Sequence, residues 1–174
     1  METFRSSGYE VVPTARVHAE SLHACYDTVA RERRYITRLE APALERMQNA
    51  LSSYNTDHEA LFVATLDNQV VGWCDIRRNL SPGFMHCGYL GMGVHPNHRR
   101  RGVGSALLDT AIKGALSMGL ERIELHVFSS NSAAINLYKK HGFAIEGIHR
   151  RARKLDEEYD DVLSMASFLQ ETSV

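Results

Sequence analysis

Several things are missing from this chain, and each absence narrows what it can be. No apolar run approaches the ~18 residues that a membrane span requires. The opening residues, Met1 to Arg5, carry no apolar core of the kind a secretory leader needs. Cysteine is scarce: Cys25, Cys74 and Cys87 are an odd set of three with no C-x-x-C spacing. That argues against a disulfide framework or a thiolate zinc site, and for ordinary buried thiols in a reducing cytoplasm. A net charge of −1 gives no bulk attraction for nucleic acid. Neither a G-x-x-x-x-G-K-[ST] loop nor a G-x-G-x-x-G fingerprint occurs, which counts against the common nucleotide-binding designs. There are no repeats, low-complexity stretches or long linkers. With 174 residues, 44% of them hydrophobic and 24% charged, a single globular domain over 1–174 is expected.

What is present reads as alternating short strands and helices. Tyr9–Val12 is a strand. A helical spacing of Val17, Leu22, Cys25, Tyr26 and Val29 predicts a helix over 15–32, and Pro42 suits the first turn of another through Ser53. Ala60–Leu66 and Gln69–Arg78 form a predicted hairpin around Asp67-Asn68. Met85–Val94 reads as a strand despite Gly88, Gly91 and Gly93, which suggest a bulge or a closely approaching ligand. Gly102–Met118 carries the strongest apolar stripe, through Leu108, Ile112 and Leu116, with Gly119 as its C-cap. Then follow a strand over Arg122–Val127, a helix over Ala133–Lys140 closed by Gly142, and two strands, Phe143–Arg150 and Tyr159–Leu169, around a turn at 156–158. The order β-α-α-β-β-β-α-β-α-β-β indicates a mixed α/β sheet with helices on its faces.

The chemistry concentrates in one turn. Arg99, Arg100 and Arg101 precede Gly102, Val103, Gly104 and Ser105, between a strand ending at Val94 and an amphipathic helix. A helix start presents main-chain N–H groups without internal acceptors and the positive end of its dipole. Glycines let an anion approach, and arginines add charge-assisted donors, so the segment suits a pyrophosphate. The second basic run, His149 to Lys154, is expected to be a solvated face.

The pattern Val94-x-Pro96-x-x-Arg99-x-x-Gly102-x-Gly104 resembles the acetyl-CoA signature of the GNAT superfamily of N-acetyltransferases. Asn131, Ala134, Leu137, Tyr138, Lys140, Gly142 and Phe143 resemble that superfamily's second motif, and the element order matches over about residues 9–169. The resemblance implies a mixed, mostly antiparallel sheet splayed at the CoA-binding strand and flanked by helices. It implies that residues 99–105 wrap the CoA pyrophosphate and that Met92, Gly93 and Val94 pair with pantetheine as an added strand would. Asn131 is expected to bind the pantetheine arm, to cap the helix beginning near Ala133, or both. Acetyl-CoA is the implied co-substrate, and a homodimer is among the states relatives adopt.

Amine acetylation needs a neutral amine, a polarised carbonyl and a protonated leaving thiolate. Tyr138 matches the position commonly assigned as the acid for the sulfur. No Asp or Glu lies between Asp75 and Asp109, so the glutamate base that some branches carry on the strand entering the turn is missing. His86 and Tyr89 on that strand, His126 on the next and Asp75 on the one before are the remaining base candidates, alongside a water relay. His95 and His98 flank Pro96 and read as loop residues, with no metal site expected. For the acceptor, Glu32 is a candidate for the ammonium, Arg33 or Arg34 for a carboxylate and Tyr35 for the pocket wall, with Tyr159 to Asp161 as a second lining segment. The expected activity is acetylation of a small-molecule amine, such as an amino acid, without nucleic-acid or membrane partners. The alternatives are acetylation of protein N-termini or lysines, and a non-catalytic acetyl-CoA sensor.

Overall fold

The structure, a computed structural model, describes residues 5, 6 and 8–169. Eight strands form one sheet: β1 (Arg5–Ser6), β2 (Tyr9–Pro13), β3 (Glu59–Leu66), β4 (Gln69–Arg78), β5 (Cys87–Val94), β6 (Arg122–Phe128), β7 (Ala144–Leu155) and β8 (Glu158–Phe168). Four helices accompany them: α1 (Ala19–Arg31), α2 (Leu44–Ser52), α3 (Val103–Ser117) and α4 (Ser132–Lys140). None of the helices in the described residues is long and apolar enough to cross a membrane. The strand order is β1-β2-β3-β4-β5-β6-β8-β7, antiparallel throughout except for β5 beside β6.

The expected elements are present, with differences at their ends. The first helix is preceded by a tight turn at Arg16–His18 and starts at Ala19. β5 starts at Cys87, because the Cys87 N–H closes a turn onto the Phe84 carbonyl at 2.8 Å. β7 continues beyond Arg150 to Leu155 across a break in register between His149 and Arg153. At that break Arg151 takes a positive φ of 51°, and its N–H donates to Asp161 Oδ1 at 2.7 Å. β1 is a two-residue pairing with β2 too short to leave a pattern in the sequence.

Helix α3 packs on one face of the sheet through Leu107, Leu108, Ala111 and Ala115, all fully buried. Helix α1 covers part of the other face, where Leu22, Cys25 and Val29 meet Val63, Val70 and Trp73. The three cysteines are buried and unpaired, and burial pushes the Cys25 thiol up to about 12.

The parallel pairing is what shapes the site. It spans only Cys87, Gly88 and Tyr89 against Arg122, Ile123 and Glu124. Past Tyr89, β5 stays with β4 as far as Val94, while β6 stays with β8 as far as Phe128. The sheet therefore splays, and one edge of β5 faces open space. The β5 glycines answer mainly to their neighbours in the sheet. A Cβ on Gly93 would lie 2.2 Å from the Trp73 ring, one on Gly88 2.6 Å from Leu120, and one on Gly91 3.3 Å from the Asp75 carboxylate. Gly93→Ala is expected to cost about 1–3 kcal/mol, the range for overpacking, because Trp73 is buried and stacked on Tyr26 at 4.8 Å. Urea unfolding reads this directly; an unchanged midpoint would show that the indole yields freely.

Candidate active site

The splay opens a cleft of about 1310 Å³ that runs from the start of α3, past β5 and α4, to the tip of the β7–β8 hairpin. At the first end, Gly102 is the N-cap of α3 with φ +81°, and Arg100 also lies at positive φ, 58°. The Ala106 N–H closes the first turn onto the Gly102 carbonyl at 3.0 Å. Among the described residues, the N–H groups of Gly102, Val103, Gly104 and Ser105 have no protein acceptor. These amides stand at the positive end of a 15-residue helix. The Val103 side chain is buried and anchors the turn to the core. Gly104 leaves room for Leu137 of α4, which a Cβ would approach to 3.3 Å.

The three arginines diverge. Arg99 turns back: its Nε donates to the Val94 carbonyl at 2.9 Å, and both terminal nitrogens hold the Glu32 carboxylate, Nη1 at 2.8 Å. Its guanidinium also sits 4.6 Å over the Tyr35 ring. It is a strut between α3's entry turn and the end of α1. Arg101 reaches away from the cleft towards the Tyr9 hydroxyl at 3.4 Å. Arg100 alone of the three is both exposed and unpaired in the described structure while lining the cleft.

Midway, α4 presents Tyr138. Asn131 caps that helix, its Oδ1 accepting from the Ala134 N–H at 3.2 Å, so the expected cap is there, and the residue also lines the cleft. His141 joins α4 to α3: its Nδ1–H donates to the Leu137 carbonyl at 2.8 Å, and its Nε2 lies 3.1 Å from Ser105 Oγ. Ser105 thus meets the end of α4 besides lining the cleft. Tyr138 is 6% exposed, packs 5.8 Å from Phe143 and makes no hydrogen bond through its hydroxyl among the described residues. Burial, with Cys74 and Tyr89 nearby, pushes its phenol well above the usual tyrosine range. It remains a proton donor at any working pH.

The far wall combines Tyr26, Trp73, Asp75 and Arg77 with side chains from β6 and β7. Tyr89, His126 and His149 form a row of edge-to-face rings at 5.7 and 5.6 Å, and His149 Nε2 lies 2.7 Å from Ser164 Oγ. The basic run from 149 to 154 is largely solvated, as expected, with His149, Arg150, Arg151 and Lys154 exposed and Arg153 half-buried; His149, Arg153 and Lys154 also border the cleft. Other expectations are also corrected. His86 is exposed, precedes β5 and lies outside the cleft, its carbonyl accepting from Glu121 and Arg122 N–H groups. Glu32 is held by Arg99, and Arg33 by Asp156, with Nη2 2.7 Å from Oδ1. Neither lines the cleft, whereas Tyr35 does. Arg34 lies 5.7 Å over the Tyr35 ring. Tyr159 sits under Arg151 at 3.9 Å, Asp160 accepts from Ser129 and Ser130, and none of residues 159–161 reaches the cleft. His95 caps its own turn at Asn97, and His98 Nδ1 is 3.1 Å from the Tyr9 hydroxyl.

Comparison with known proteins bears on this geometry. Residues 20–143, a stretch from α1 to the end of α4, match the acetyltransferase (GNAT) family. The chain belongs to that family. Among GNAT relatives, the L-amino acid N-acetyltransferase AaaT of Escherichia coli is 38% identical over 105 residues, which cover 60% of this chain and 65% of that protein. The chain thus spans just under two thirds of that relative's length. A GNAT acetyltransferase from Streptococcus pneumoniae superposes with a TM-score of 0.85 at 27% identity, over 92% of this chain and 99% of that one. The yncA protein of Salmonella typhimurium, solved with its cofactor acetyl-CoA, has the same fold at a TM-score of 0.87 and 17% identity, over 97% of this chain and 98% of that one.

Proposed function

We propose that the protein moves an acetyl group from acetyl-CoA to the primary amine of a small molecule of amino-acid type, by direct attack with both substrates bound. The observation that carries this reading is a single continuous cleft with three chemically distinct stations: free amides at the start of α3, a buried phenol on α4, and a polar far wall. In this reading the CoA pyrophosphate rests on the N–H groups of residues 102–105 with Arg100 beside it. Arg99 serves by holding the turn in place. The pantetheine arm lies along the open edge of β5 at Met92, Gly93 and Val94, where a main-chain N–H polarises the thioester carbonyl, and the Asn131 amide meets it from α4. Tyr138 gives its proton to the departing sulfur.

Acceptor size and charge follow from the far wall. Of the cations there, Arg77 is shared between Glu59 and Asp75 and Lys154 pairs with Glu157 at 2.7 Å, while Arg153 has no carboxylate partner among the described residues and is fitted to an acceptor that carries a carboxylate or another anionic group beside its amine. The name of the Escherichia coli relative supports an amino acid as that acceptor. A chain with unpaired buried thiols and this co-substrate belongs in the cytoplasm.

The test is release of free thiol from acetyl-CoA across a panel of amino acids and related amines, with the N-acetylated product confirmed by mass spectrometry. Amine-dependent release with acidic or zwitterionic acceptors preferred is the expected result. Acetyl-CoA binding without any release would make the protein a sensor. Release with peptide N-termini or lysine peptides alone would replace the small-molecule reading.

A further inference from the structure

We propose that Asp75 is the base that takes the proton from the acceptor's ammonium, an inference that rests on the acetyl-transfer reading above. Asp75 lies near the middle of β4, directly opposite Gly91 of β5, so the two share a face of the sheet. Because residue 91 has no side chain, the carboxylate extends over the β5 backbone: a Cβ there would be 3.3 Å from Oδ1 and 3.5 Å from Oδ2. The carboxylate thereby reaches the cleft beside the strand edge offered to the thioester. It is the only carboxylate among the described residues that line the cleft. An ammonium entering among arginines and a lysine has one anion to meet.

Asp75 is also poorly committed elsewhere. Arg77 Nη1 stands 3.5 Å from Oδ2 and is shared with Glu59, whose Oε1 is 3.1 Å from Arg77 Nε. No main-chain or hydroxyl donor bonds the Asp75 carboxylate among the described residues. The charged and titratable groups that bear on it are Glu59 from β3, Arg77 and the neighbouring Cys74 from β4 and Tyr26 from α1, with Tyr89 of β5 opposite Arg77. Burial, opposed by Arg77 and aided by Glu59, pushes the carboxyl up to about 6. That shift raises its affinity for the proton it must take while leaving it ionised at neutral pH.

In the step itself, an N–H bond of the ammonium breaks, its electron pair stays on nitrogen, and the proton bonds to an Asp75 oxygen. The neutral amine attacks the thioester carbon and a C–N bond forms. The C–S bond breaks, and the sulfur leaves with its electron pair and takes the Tyr138 hydroxyl proton. A second amine proton restores the phenol, and Asp75 returns its proton to solvent.

The experiment is Asp75→Asn, an isosteric change, with kcat/KM for the best amine measured from pH 5 to 10. Wild-type kcat/KM is expected to carry an acid limb near pH 6, because that parameter reports groups of the free enzyme. In the variant, kcat/KM at pH 7 falls about 100-fold and then climbs with pH as solution supplies free amine. The acetyl-CoA Kd stays unchanged, which also verifies the fold. Full activity in the variant at pH 7, a raised KM with an unaltered pH profile, or a wild type lacking the limb would each overturn the proposal. A wild type inert toward every amine ends both this inference and the acetyl-transfer reading; an active wild type with an indifferent variant ends this one alone.

Discussion

Tyr138→Phe is expected to lower kcat for acetyl transfer by about 100-fold or more, the usual weight of a positioned acid, while the acetyl-CoA Kd moves less than about twofold. The ring is what packs: it sits in the main core and touches Phe143, and phenylalanine keeps both contacts. The hydroxyl makes no hydrogen bond to the described protein, so its removal leaves no partner stranded. The loss therefore falls on the chemical step. Because burial holds the phenol far above its ordinary range, no alkaline limb from Tyr138 is expected in wild-type kcat below about pH 10. Equal losses in kcat and in cofactor affinity would make Tyr138 a packing residue. An unchanged kcat would leave thiolate protonation to water.

Gly102→Val is expected to raise the acetyl-CoA Kd by at least about tenfold. A Cβ at 102 meets nothing within 4 Å, so no clash inside the protein drives this effect. The cause is the backbone. Gly102 sits at φ +81°, where a non-glycine residue is strained by about 1–3 kcal/mol and a β-branched one most of all. Relief of that strain turns the peptide planes of 102–104 and redirects the N–H groups that have no protein acceptor. The branched side chain also occupies the space the phosphates need. Gly102→Ala should show a smaller loss, which separates conformation from bulk. Isothermal titration with acetyl-CoA decides it: wild-type affinity in the valine variant would remove the phosphate cradle from the start of α3.

Much of this architecture was legible because its causes are local. A glycine before a helix, the apolar spacing of α3 and an asparagine cap before Ala134 each leave a mark within a few residues, although the stripe expected through Leu108, Ile112 and Leu116 lies partly beside the buried one through Leu107, Ala111 and Ala115. Period-two alternation exposed β6, and Asp67-Asn68, both at positive φ, exposed the β3–β4 turn. The motif residues likewise announced a family, and with it the splayed sheet. Each of these features follows from backbone sterics or from hydrogen bonds within a few residues.

The partners across the fold carried no such mark. Arg99 belongs to Glu32, 67 residues away, and Arg33 to Asp156, 123 residues away, although the local sequence suits both to a ligand. His86 and His126 looked alike as strand histidines, yet one lies before β5 outside the cleft and the other on its wall. Asp75 reaches the cleft through its pairing opposite Gly91, a relation that spacing along the chain does not show. Within the solvated basic run from 149 to 154, only His149, Arg153 and Lys154 border the cleft, a selection that charge along the chain does not reveal. By itself, then, the amino-acid order determined the helices, most strands, the α3 turn and the family. Which side chains face the cleft was settled by strand pairing and by long-range ion pairs, since a charge chooses its partner by distance in space and the chain records only distance along itself.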